Sequence, residues 1–140
     1  MTALLCTAGV FCIAASCVHG YLGETRLIAP ASFPSRQAKS LVRALFQLGT
    51  TTWIASGAVI AAAPWLFDDR TRPWAVAAAC LPLVWGIAAN AWITRGRHFG
   101  WKVFAAVVAL AALSVAVQRP ARAQPPPSPP AAMIRSKAVP

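Results

Sequence analysis

Acidic residues are nearly missing from this chain: three Asp and Glu stand against 13 Lys and Arg in 140 residues. General acid–base chemistry commonly relies on paired, shielded carboxylates, yet Glu24 stands alone and Asp68 and Asp69 are neighbours at the close of an apolar run. Also lacking are a His-Glu-x-x-His helix, a Gly-rich phosphate loop and a nucleophile set beside a base. No catalytic residue can be named, and the chain reads as non-enzymatic. Charge of either sign is scarce, at 11% of residues against about a quarter in soluble domains. No Asp, Glu, Lys or Arg precedes Glu24.

What is present is apolar: 58% of residues are hydrophobic and the mean hydropathy is +0.58. A helix crossing a bilayer takes about 20 apolar residues, so the chain has room for four spans, short connections and a tail. The expected fold is all-α, an integral membrane four-helix bundle over 1–118 followed by a disordered Pro-rich tail over 119–140, where too little apolar area exists to order the chain. The net charge of +10 is spread singly between apolar runs rather than along one stripe. That pattern excludes nucleic acid as a partner and points to the lipid bilayer.

Cys6, Cys12 and Cys17 fall in the first apolar run and Cys80 in the third, with neither Cys-x-x-Cys spacing nor ligand-type neighbours. They read as small apolar residues, and no metal site is expected. Ala14-Ala15-Ser16-Cys17 faintly resembles a lipoprotein processing box, but no basic residue precedes the run, so an uncleaved span is the better reading. Ala121-Arg122-Ala123 after the fourth run has the form of a cleavage site that alanine-rich sequence produces freely.

Helices are expected near 2–22, 41–66, 73–94 and 100–118. Pro30 and Pro34 break the first connection, and Pro73 opens the third helix where its missing N–H costs nothing. Pro82 predicts a kink in that helix. Trp65 and Trp74 flank one turn and Trp92 and Trp101 another, as an aromatic belt requires. Trp53 and Trp85 fall mid-span, where they should meet at similar depth. Two lines of small residues, Ala75, Ala79, Pro82, Gly86 and Ala89 in the third span and Ala105, Ala109, Ala112 and Ala116 in the fourth, predict close helix packing.

Basic residues set the expected orientation. Arg26, Arg36, Lys39 and Arg43 in the first connection, with Arg95, Arg97 and Lys102 in the third, outnumber the span-proximal Arg70, Arg72, Arg119 and Arg122. The first and third connections are therefore expected in the cytoplasm, with both termini outside.

In such a bundle one leaflet gathers His19, Glu24, Arg43, Gln47, Thr50, Thr51, Asn90 and His98. Arg43, Gln47, Thr50 and Thr51 share one helical face, which should turn inward because unpartnered polar groups in hydrocarbon are costly. His19 and Gln47 are expected within direct or water-bridged reach, with Asn90 at similar depth. If the Asn90 amide bonds across helices, Asn90→Leu should cost about 0.5–1.5 kcal/mol.

His19-Gly20-Tyr21-Leu22-Gly23-Glu24, Arg43-Ala44 with Trp53, and Gly96-Arg97-His98-Phe99-Gly100-Trp101 together resemble a family of small uncharacterised bacterial four-helix inner-membrane proteins. The resemblance covers 1–117 and implies a fold and a bacterial inner-membrane location, but no activity. In that family the position of Gln47 is often histidine; glutamine here counts against a three-histidine metal or haem site. Three readings of the cluster follow. The first is structural, in a non-enzymatic protein. The second is a pH-responsive transport or sensing component, in which His19 and Glu24 titrate against Arg43; it needs a homo-oligomer or another membrane protein as partner. The third is a b-type haem protein with His19 and His98 as axial ligands.

Overall fold

The computed structural model describes residues 2–117, and the tail expected over 119–140 lies outside the described residues. Four long helices follow one another: α1 (Thr2–Leu22), α2 (Arg36–Leu66), α3 (Arg72–Ile93) and α4 (Gly100–Val117). A π-helical stretch, Gly23–Ile28, prolongs α1. With that stretch counted, all four are long and apolar enough to cross a membrane. No strand occurs among the described residues. The helices form a ring in chain order, α1 packing on α2 and α4, and α3 packing on α2 and α4.

The first connection is shorter than expected because helix invades it from both sides. On one side the Ala29 N–H reaches back five residues to the Glu24 carbonyl at 2.8 Å, closing the wide π turn. On the other, α2 begins at Arg36 rather than near 41, because Ser35 caps it. Extended at φ −152° and ψ 162°, Ser35 accepts a hydrogen bond from the Ala38 N–H at 3.1 Å, satisfying one of the helix's free donors. Only 29–35, between and around Pro30 and Pro34, remains irregular. Lys39 ties it down by donating to the Ala29 carbonyl at 2.8 Å.

The α2–α3 turn is organised by Asp68, whose Oδ1 accepts from Thr71 N at 2.7 Å, Thr71 Oγ1 at 2.8 Å and Arg70 N at 3.0 Å. The Thr71 backbone bond, followed by the Thr71 hydroxyl, holds this carboxyl below the usual carboxylate range. The α3–α4 turn uses two left-handed residues, Arg95 at φ 52° and Gly96 at φ 74°. There the Gly96 N–H closes on the Ala91 carbonyl at 2.8 Å, a glycine stop of common type.

The interior is thin and built from small side chains. Leu5, Ala8, Cys12, Ile60, Ala63, Val76, Leu83, Phe104, Val107 and Ala111 form the buried core. Cys12 and Cys6 behave as expected, turning their thiols toward the Trp53 and Ala61 carbonyls of α2 at 3.5 and 3.7 Å. Large apolar side chains point outward instead, as on a surface suited to lipid, and Trp74 and Trp92 are 78% and 86% exposed. The tightest backbone-to-backbone approach at a glycine joins α1 to α2. A Cβ at Gly9 would overlap the Gly57 carbonyl and the Ala61 N–H and stand 2.6 Å from the Ala61 Cβ. Backbone meets backbone there.

Of the α3 line of small residues Gly86 is buried, under the Trp53 indole, and Ala75, Ala79, Pro82 and Ala89 are half-buried beside the buried Val76 and Leu83. The α4 line is a correction: Ala109, Ala112 and Ala116 are exposed, and Phe104, Val107, Ala111 and Ser114 are the buried set. Phe104 finds the Trp53 ring at 4.7 Å and Ser114 donates to its own helix at Leu110. An alanine-and-valine helix offers two equivalent apolar faces, and the placement of one aromatic and one hydroxyl selects between them. Trp85 is a second correction, since it is 76% exposed while Trp53 turns inward.

Candidate functional site

Polar groups of α1, α2 and α4 gather at one end of the bundle, and the approach of α1 to α2 decides how they sit. Gly20 leaves room for the inward face of α2: a Cβ there would be 2.7 Å from the Thr50 methyl and 3.6 Å from Gln47 Oε1. Thr50 is buried, Gln47 half-buried and Arg43 exposed. The hydroxyls bond along their own helix, Thr50 to the Phe46 carbonyl at 3.2 Å and Thr51 to those of Gln47 and Leu48 at 3.0 Å. The hydroxyls of this face make no hydrogen bond across to α1 among the described residues.

His19 is enclosed by rings. It stacks on Phe46 at 5.1 Å between centroids and 17° between planes, and its edge meets Trp53 at 5.1 Å and 62°. Trp53 continues the line, touching Phe104 and donating its indole N–H to the Pro82 carbonyl on α3 at 3.2 Å. Aromatic contacts thus link α1, α2 and α4, and the indole hydrogen bond adds α3. Gln47 stands beside Gly20, but no hydrogen bond joins it to His19 among the described residues.

Glu24 and Arg43 form a two-pronged ion pair, Arg43 Nη2 to Oε1 at 2.6 Å and Nε to Oε2 at 3.1 Å. It joins the π-helical stretch to α2. Both carboxylate oxygens are engaged, and Glu24 shares no hydrogen bond with His19 among the described residues.

His98 comes from the α3–α4 turn, its ring 6.5 Å from that of His19 and perpendicular to it. The Gly100 N–H donates to His98 Nδ1 at 3.0 Å. A backbone N–H can only donate, so Nδ1 is the accepting nitrogen and the neutral ring carries its proton on Nε2. Iron-bound histidine has the reverse arrangement, with one nitrogen ligating and the other donating. Although the ring separation leaves space for an atom between them, His19 and His98 do not fit haem ligation. No group of three or more His, Cys, Asp or Glu that could hold a metal occurs among the described residues.

Asn90 is elsewhere. It lines a groove of about 460 Å³ between α2 and α3, beside Trp53 and Gly86, away from the histidines. Its Oδ1 is buried with no hydrogen-bond partner among the described residues. The polar set read from the sequence is therefore three structures: the His19–His98 pair with its rings, the Glu24–Arg43 pair with Gln47 and Thr50 beside Gly20, and Asn90 alone.

A larger cavity, about 960 Å³, opens between α1 and α4. Phe11, Val18, Val103 and Phe104 form apolar walls, His19 and His98 stand at one level, and Arg26 lies toward the end. Phe46 and Arg26 were not among the residues singled out from the sequence. Phe46 adjoins Gln47 and differs from other core aromatics only by its partner, while Arg26 looked like one more orienting cation. Comparison with family models, curated proteins and solved structures finds no match for the chain.

Proposed function

We propose that the chain is a multi-pass protein of the bacterial inner membrane without enzymatic activity, a four-span bundle whose polar end is fastened largely by its own side chains. The observation that carries this reading is the Glu24–Arg43 pair: the one carboxylate at this end spends both oxygens on α2. His19, held between Phe46 and Trp53, adds a ring contact at the same junction. The resemblance to small bacterial inner-membrane proteins supports the location. The surplus of Lys and Arg in the first and third connections supports a cytoplasmic polar end with both termini outside. A pH-responsive transport or sensing role draws less support, because Glu24 pairs with Arg43 rather than with His19.

Fractionation tests the reading. The protein should remain in the membrane pellet through an alkaline carbonate wash. In a cysteine-free background, Ser32→Cys should react with an impermeant thiol reagent only after permeabilisation and Asp69→Cys in intact cells. Recovery in the soluble fraction would overturn the membrane assignment, and the reverse labelling pattern would overturn the orientation alone.

A further inference from the structure

The α1–α4 cavity combines an apolar body with a polar end formed by His19, His98 and Arg26. Its volume of about 960 Å³ lies at the upper end of the roughly 300–1,000 Å³ typical of small-molecule pockets. Val18 on its wall is 57% exposed, so the cavity opens sideways, to the exterior of the bundle. Arg26 stands seven residues past His19, on the π-helical stretch that prolongs α1, and so nearer the bundle end.

Charge decides what could fill it. Glu24 is the only carboxylate at this end, and Arg43 holds both of its oxygens. Arg26, on the cavity wall, has no ion-pair or hydrogen-bond partner among the described residues. His98 keeps an Nε2–H to give, because its Nδ1 accepts from Gly100. The polar end is thus cationic and donor-rich, while the body below it suits a hydrocarbon chain.

We propose that this cavity binds one anionic phospholipid of the surrounding bilayer, its phosphate at Arg26 and His98 and an acyl chain along Val18 and Val103. Arg26 is exposed at the rim of the apolar wall, so an anionic amphiphile gains a charge contact there that an uncharged one does not. A phosphate supplies the acceptor oxygens that the guanidinium fork and the imidazole N–H lack. The inference rests on the membrane reading above and adds a specific lipid to it.

Native mass spectrometry of the full chain in uncharged detergent, titrated with phosphatidylglycerol or phosphatidylcholine, tests it. Phosphatidylglycerol should bind about fivefold tighter, the ratio given by roughly 1 kcal/mol per basic residue near an anionic lipid. Arg26→Gln should abolish the preference, while Arg36→Gln, a change outside the cavity lining, should keep it. Val18→Trp, which fills the cavity from an exposed position, should weaken both lipids. Equal binding of the two lipids by the parent chain would overturn the proposal. So would an Arg36→Gln effect as large as that of Arg26→Gln, which would mean diffuse attraction to the basic end. Phosphatidylglycerol binding undiminished by Val18→Trp would place the lipid elsewhere and overturn it too. Fractionation stands apart from headgroup preference, so failure here leaves the membrane assignment intact.

Discussion

Adding one methyl group at Gly9 and one at Gly49 should move stability in opposite directions. At Gly9 the new Cβ would stand 2.6 Å from the Ala61 Cβ and closer still to backbone atoms of Gly57 and Ala61. Ordinary contact begins near 3.4 Å, so α1 and α2 must part by about 1 Å, a gap that forfeits a quarter to a half of each contact's dispersion well. Backbone cannot step aside as a flexible side chain can. The contacts weakened include those of Leu5, Ala8, Cys12 and Ser16, all fully buried. Overpacking of this kind costs about 1–3 kcal/mol, and the upper end applies because a whole helix pair must shift. Against this, alanine in a helix gains about 0.5–1 kcal/mol over glycine. The net for Gly9→Ala is a loss of about 2 kcal/mol. At Gly49 nothing lies within 4 Å of a built Cβ, so Gly49→Ala should show only the gain, about 0.5–1 kcal/mol. Unfolding by added dodecyl sulfate in mixed micelles, followed by circular dichroism, measures both. Equal midpoints for the two variants would refute the backbone contact between α1 and α2.

Trp53→Phe removes the indole bond to the Pro82 carbonyl while keeping a ring, and should lower stability by about 0.5–1.5 kcal/mol; no change in midpoint would mean that bond contributes nothing. Asn90→Leu, which the sequence suggested would destabilise, should leave the midpoint unchanged or raise it, because the amide makes no bond within the described chain and its buried Oδ1 is unsatisfied. A clear loss would show that Asn90 has a partner outside the bundle. Glu24→Gln should lower stability by about 0.2–1 kcal/mol, the range for exposed ion pairs, and Arg43→Ala in the same background should cost little more, the non-additivity of paired residues. Asp68 is held below its ordinary pKa, so its turn stabilises the fold above the unfolded-state value near pH 4 and loses that contribution as pH falls through the lowered folded value. Asp68→Ala should flatten this acid limb of a stability-against-pH curve, and an unchanged limb would assign it to other groups.

The four helices were legible because apolar run length and the tryptophan and proline positions mark spans directly. Their ends were less so: Ser35 caps an α2 that begins five residues before the expected start, and a serine in a Pro- and Ser-containing loop does not announce which residue begins the helix. The π turn left no periodic signature. Rotational setting was harder still. For α3 the buried line was readable because Gly86 is distinct from its neighbours, whereas α4 is nearly uniform and the wrong alanine line looked as good as the right one. The sequence groups the polar residues by depth along the spans, but which of them touch depends on helix rotation. Glu24 reaches Arg43 through the π turn, and Asn90 is carried to a different groove by the same geometry that buries Gly86.

The unequal packing of the helices bears on how the protein is made. The closest backbone contact, at Gly9 and Gly57, lies between two helices synthesised before α3 and α4, and it needs nothing from either. A nascent chain extending to Leu66 already holds both surfaces, so the α1–α2 hairpin can close during translation while α3 is still in the ribosome. The α1–α4 face forms later, once α4 is made and docks, and it is the face that keeps an open cavity. Mutations at Gly9 or Gly57 should therefore act on biogenesis, exposing newly made chains to membrane proteases, whereas changes along Val103 should leave yield intact.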